Sequence, residues 1–161
     1  MSGHWSALGA SAARLVGTAT FRLMPTDEPV GGPAWGELTA YADGVALAVA
    51  YGWTHPADGP QEGVLLIGSP EDDGTVSASL LDSWHQKPGP MQLTGPLDGA
   101  VVRLAGTYLE TWGWEIDVDL SAPGVLGIVM RNVVPAEAVS MAPPGMEFAP
   151  GPYDVMHLEV G

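Results

Sequence analysis

The sequence contains no cysteine. That excludes disulfides, thiolate metal ligands and a cysteine nucleophile, and it leaves the redox compartment unmarked. Basic residues are almost as scarce: five lysines and arginines stand against 19 aspartates and glutamates, for a formal net charge of −14. Such a surface repels phosphate backbones and anionic lipid heads, so neither nucleic acid nor a membrane is an expected partner. Long apolar runs are absent too. The opening stretch MSGHWSALGASAARLVG has no basic start followed by an apolar segment, so no signal peptide or membrane span is read there and the cytoplasm is the expected location. The four histidines, at 4, 55, 85 and 157, form no His-x-His or His-Glu-x-x-His spacing. Glu115, Asp117 and Asp119 make an acidic stripe, but on a solvated strand face without a loop to cage calcium. With no phosphate-binding glycine loop and no Gly-x-Ser-x-Gly elbow, no metal, no cofactor and no serine-hydrolase site is expected.

What the chain does have is apolar alternation and turn residues. Its 161 residues are 46% hydrophobic and include 22 glycines and 15 prolines, which suits one domain over 1–161 built from short strands and turns. In 112–120, Trp112, Trp114, Ile116, Val118 and Leu120 share one face and acidic residues or glycine the other, the signature of a half-buried strand. In 45–55, Val45, Leu47, Val49, Tyr51, Trp53 and His55 oppose Ala46, Ala48, Ala50, Gly52 and Thr54; in 76–84 the heavier face is Val76, Ala78, Leu80, Asp82 and Trp84. Further strand candidates are 14–23, 34–41, 63–69, 90–95, 101–108, 125–133 and 153–160. The expected fold is all-β: a roughly ten-stranded antiparallel up-and-down barrel. Helix is confined to a short N-terminal piece within 4–13 and to 135–142.

The connections orient this barrel. Asp43-Gly44, Asp73-Gly74, Asp98-Gly99 and Pro123-Gly124 are tight-turn sequences, and Asp-Gly suits hairpins whose central residues need positive φ. In a meander they all fall at one end, here called the bottom. The longer, proline-rich stretches 24–33, 56–62, 85–89 and 134–152 fall at the top with the short turn 109–111, giving a closed base and an open mouth. A short N-terminal helix is placed to plug the base. The same trace sends Trp35, Trp53, Trp84, Trp112, Trp114, Tyr51, Tyr108 and Tyr153 to the upper halves of their strands. Trp and Tyr combine an apolar body with a polar tip, which suits a cavity wall; they also serve to fill a barrel too wide for aliphatic side chains.

The stretch LLDSWHQKPG (80–89) sets Asp82, Ser83, Trp84 and His85 side by side. Ser83 and His85 share a strand face that Asp82 does not, so the three cannot form a nucleophile–base relay. Asp82 sits on the apolar face, where a carboxylate must be hydrogen-bonded, paired or protonated. The arginines fall on the other faces of their strands. His55, at the same end and two strands away, is one candidate partner; Tyr108 and Asn132 are further inward polar groups. The expected ligand-binding set is therefore Tyr51, Trp53, His55, Asp82, Trp84, Tyr108, Trp112, Trp114 and Asn132, around a small apolar or amphipathic molecule. Two alternatives stay open: an enzyme using Asp82 and His55 as an acid–base pair, and a filled structural or interaction module.

The segment AYGWTHPADGPQEGVLLIGSPEDDGTVSASLLDSWHQ (50–86) resembles the central hairpins of bacterial lipocalin-like barrels of the calycin group. The shared elements are an aromatic strand ending around Trp53, a Gly…Leu-Ile-Gly strand, an Asp-Gly turn and a strand ending Asp-Ser-Trp. The resemblance implies the fold and carries no activity with it. It extends distantly to nitrobindin-like barrels, which bind ferric haem through a histidine on the last strand, and this implies His157 as an alternative haem ligand. The Gly-x-Trp-x-Gly-x-Gly motif of that group is missing from the N-terminus, and Met156, Leu158 and Val160 place His157 on the outward face.

Overall fold

The computed structural model describes residues 3–8, 13–84, 86–141 and 148–161. Ten strands run in chain order: β1 Leu15–Phe21, β2 Val30–Tyr41, β3 Ala46–His55, β4 Gly59–Gly68, β5 Thr75–Asp82, β6 Gln86–Asp98, β7 Val101–Tyr108, β8 Trp112–Asp119, β9 Leu126–Val134 and β10 Gly151–Val160. Each pairs antiparallel with its sequence neighbours, and β1 pairs with β10 to close the barrel. The expected up-and-down meander is therefore the fold. The inward faces read from period-two alternation are the core: Leu47, Val49, Val76, Leu80, Ile116 and Val118 are all fully buried, and Leu65 and Ile67 on β4 join them.

Several details of the connections differ from expectation. Most of 56–62, and 86–89 of the expected connection 85–89, are strand, because Pro60 and Pro88 are accommodated within β4 and β6. His55 pairs with Gly59, leaving 56–58 as a tight turn. The long connections at the top are thus those after β1 and after β9. Val45, expected on the inner face of its strand, lies in the turn before β3 and is exposed. Among the Asp-Gly turns, only Asp43-Gly44 holds both residues at positive φ; at the other two the glycine alone does so. The turn at 109–111 carries no glycine, yet Leu109 (φ 45°) and Glu110 (φ 69°) are both left-handed.

At the bottom, His4–Leu8 is a 3₁₀ turn rather than an α-helix. Trp5 is buried in the core and its indole Nε1 donates to the Gly68 carbonyl at 2.9 Å. The Gly3 amide bonds the Asp43 carbonyl at 2.7 Å, so this turn plugs the base as its position suggested. Residues 9–12 of the expected helix lie outside the described residues. The second expected helix is the short α1, Ala136–Ser140; residue 142 of that stretch is likewise outside them. No helix among the described residues is long and apolar enough to cross a membrane.

Strand β10 departs from simple alternation. Its register against β9 shifts between Asp154 and Met156, and consecutive residues Val155 and Met156 are both buried. This bulge reverses the phase of the strand. Below it Met156, Leu158 and Val160 point inward; above it Tyr153 does, opposite Asn132, while Asp154 turns outward to Arg131.

Candidate functional site

The upper half of the barrel is divided in two. On the β1–β3–β5 side it is filled. Phe21 stacks on Trp53 (centroids 4.7 Å apart, planes at 28°), and Trp84 meets Phe21 edge-on at 5.5 Å. The His55 ring lies 4.8 Å from Trp84 and tilted against it. Beneath this cluster Tyr51 is fully buried, and its hydroxyl donates to Asp82 Oδ2 at 2.5 Å. The pairing register explains the contact: Tyr51 faces Gly63 on β4, and Gly63 faces Asp82 on β5. A Cβ on Gly63 would lie 2.3 Å from the Tyr51 hydroxyl and 2.9 Å from Asp82 Oδ2, so the phenol reaches the carboxylate only across a glycine. Burial first, and the neighbouring Asp82 second, push the Tyr51 hydroxyl well above the ordinary tyrosine range. Asp82 Oδ1 accepts from the Trp84 amide at 2.7 Å.

This arrangement replaces the expected Asp82–His55 pair. His55 Nδ1 lies 2.7 Å from Asp58 Oδ2 and 3.0 to 3.3 Å from the Asp58 and Ala57 amide nitrogens, which ties the imidazole to its own turn. A ring held this way is a rim element of the aromatic cluster rather than a base aimed at Asp82. Ser83 is also committed: its hydroxyl donates to Gln61 Oε1 at 2.8 Å and accepts from the Glu62 amide at 3.0 Å, stitching β4 to the end of β5. His85 lies outside the described residues.

The β6–β10 side is open. A cavity of about 340 Å³ is lined there by Trp84, Tyr108, Trp112, Trp114 and Asn132 from the expected set. Sequence reasoning missed the remainder of the wall: Leu80, Met91, Val134, Tyr153 and Val155 from strands, Leu23, Met24 and Pro25 from the loop after β1, and Phe148 from the stretch before β10. Tyr153 was legible as an upper-strand aromatic, but its inward direction depends on the β10 bulge. Tyr51, Trp53, His55 and Asp82 do not line the cavity; they form the filled half, with Trp84 shared between the two. Trp35 belongs to neither. It lies outside the barrel against Gly52, with the Arg14 guanidinium 4.0 Å over its ring.

Tyr108, Asn132 and Tyr153 form one chain in the cavity. The Tyr108 hydroxyl donates to Asn132 Oδ1 at 2.7 Å, Asn132 Nδ2 donates to the Tyr153 hydroxyl at 3.1 Å, and that hydroxyl donates to the Leu23 carbonyl at 2.9 Å. Burial raises the Tyr108 hydroxyl above its ordinary range, with the Asn132 contact opposing the shift. The chain also pins the loop after β1 across the mouth, because Leu23 is held from β10.

His157 stands on the outer surface, exposed, with Nε2 2.9 Å from Asp154 Oδ2. It does not face the interior, which removes it as an internal haem ligand. No cluster of three or more metal-ligating side chains occurs among the described residues. No protein-family model matches the chain and no curated protein matches it; the chemistry of the site rests on its own residues.

Proposed function

We propose that the protein binds a small apolar or amphipathic molecule in the half-open barrel, as a lipocalin-like carrier or sensor rather than an enzyme. The observation that carries this reading is the cavity of about 340 Å³ walled by three tryptophans, two tyrosines and aliphatic side chains, with Tyr108, Asn132 and Tyr153 joined in a single hydrogen-bonded chain. A concave, mainly apolar space with few polar groups is the common form of a small-molecule site. The aromatic cluster on the opposite side gives that space a rigid back wall, since its rings are already packed edge to face. In this reading the protein works in the cytoplasm, with neither nucleic acid nor membrane as partner, in keeping with its acid excess.

The test is titration with N-phenyl-1-naphthylamine, a neutral probe that fluoresces in apolar surroundings. One saturable site is expected, and Val134→Trp, which fills the cavity, should abolish it while the melting curve stays cooperative. Unsaturable binding, or full binding by the filled variant, would overturn the reading and leave the barrel a structural module.

A further inference from the structure

We infer that the cavity selects an uncharged ligand bearing a hydroxyl group, an alcohol or phenol on an apolar frame, held by Tyr108 and Asn132. This rests on the cavity being a ligand site and goes on to name the chemistry it accepts.

Hydrogen-bond direction fixes the polar subsite. The Leu23 carbonyl can only accept, so the Tyr153 proton goes to it. Tyr153 must then receive its other bond from the amide nitrogen of Asn132, which turns Asn132 Oδ1 toward Tyr108 and commits the Tyr108 proton to that oxygen. Both phenol protons are thereby used. The Tyr108 oxygen keeps acceptor capacity, and Asn132 keeps its second N–H. A ligand hydroxyl matches this pair, donating to the first and accepting from the second. A carboxylate has no proton to give, and a ketone fills only half of the subsite.

Charge selects in the same direction. The described residues that line the cavity include no acid and no base. An ionised ligand would leave water for apolar walls with no counter-charge. At the mouth Asp27, Glu28, Asp58 and Glu110 are exposed, which disfavours the approach of anions. Arg22, the nearest cation in sequence, is occupied by the Asp154 and Pro25 carbonyls.

Calorimetric titration with three ligands of one frame separates the possibilities: naphthalene, 2-naphthol and 2-naphthoate at pH 7, where the naphthol is neutral and the naphthoate charged. The expected order is naphthol about tenfold tighter than naphthalene, the equivalent of about one net hydrogen bond, with naphthoate weakest. In Tyr108→Phe and in Asn132→Leu the naphthol advantage should shrink to near unity while naphthalene still binds. Equal binding of naphthol and naphthalene to the unmodified protein would overturn the hydroxyl subsite and leave the cavity reading standing. Naphthoate binding as tightly as naphthol would overturn the selection against charge. If none of the three binds but N-phenyl-1-naphthylamine does, this subsite is overturned; if that probe fails as well, the cavity reading falls with it.

Discussion

At the scale of single residues, the Tyr51–Asp82 pair shows how one carboxylate becomes tolerable in an apolar interior. Asp82 is 5% exposed, and its two oxygens take bonds from the Tyr51 hydroxyl and the Trp84 amide. It thereby positions the backbone of a cavity wall residue without lining the cavity. Tyr51→Phe should cost about 1–3 kcal/mol in urea unfolding, because the carboxylate loses a buried donor. The double change Tyr51→Phe with Asp82→Leu should cost less than the sum of the two single changes. Binding of N-phenyl-1-naphthylamine should survive Tyr51→Phe; a loss of binding larger than the loss of stability would place Tyr51 in the ligand site. Alkaline pH adds a sign. The folded-state pKa of Tyr51 lies above its unfolded value, so its contribution is present below about pH 10 and is lost as the pH rises further.

Among the structural elements, the β7–β8 turn at the mouth carries the clearest cost. Leu109 and Glu110 both adopt left-handed φ, and Leu109 is 77% exposed. Each such residue costs roughly 1 kcal/mol relative to glycine or asparagine. Tyr108 and Trp112 pair directly across this turn and both line the cavity, so the strained residues hold two wall aromatics in register. Replacing the pair with Asn-Gly should raise the melting temperature by about 4–8 °C and leave probe binding unchanged. A fall in the melting temperature would show that the Leu109 side chain stabilises more than its backbone costs. The bulge in β10 is a second element-level device. By inserting one residue it turns Tyr153 inward and Asp154 outward, which completes the polar chain on one face and the Arg131 contacts on the other.

For the whole molecule, an excess of acid has to be managed on a closed barrel with few cations. Arg131 on β9 reaches Asp117 on β8 at 2.9 Å and Asp154 on β10 at 3.0 Å, and His157 adds to Asp154. These contacts cross three adjacent strands on the outer surface. Burial of Asp154 opposes its ionisation, but His157 and Arg131 together outweigh it and hold the carboxyl below the usual range. A depressed folded pKa means that the stabilisation is present above about pH 4 and is lost as the pH falls through the folded value. Asp154→Asn should therefore reduce stability at pH 7 by up to about 1 kcal/mol, the range of exposed pairs, and the gap to the unmodified protein should close in acid. Urea unfolding at pH 7 and near pH 3 checks this; a gap of equal size at both would mean that the side chain acts through its shape and not its charge.

The sequence by itself determined the architecture, because strand alternation and Asp-Gly turns are local: Leu47 to Trp53, Val76 to Asp82 and Trp112 to Val118 carry their inside and outside faces in the order of their residues. It also placed Tyr108 and Asn132 inward and His157 outward. Tertiary structure decided which half of the barrel is filled. That depends on which rings lie across the interior from one another, as Phe21 does from Trp84, and no spacing along one strand encodes it. It decided the partner of Asp82 through a register that sets Tyr51, Gly63 and Asp82 in one row across three strands. And it decided the far wall of the cavity, because a bulge reversed β10 and two long connections brought Leu23, Met24, Pro25 and Phe148 over the mouth. A bulge is one residue without a fixed sequence signal, and a loop's path is set by what it packs against; neither can be read before the barrel has closed.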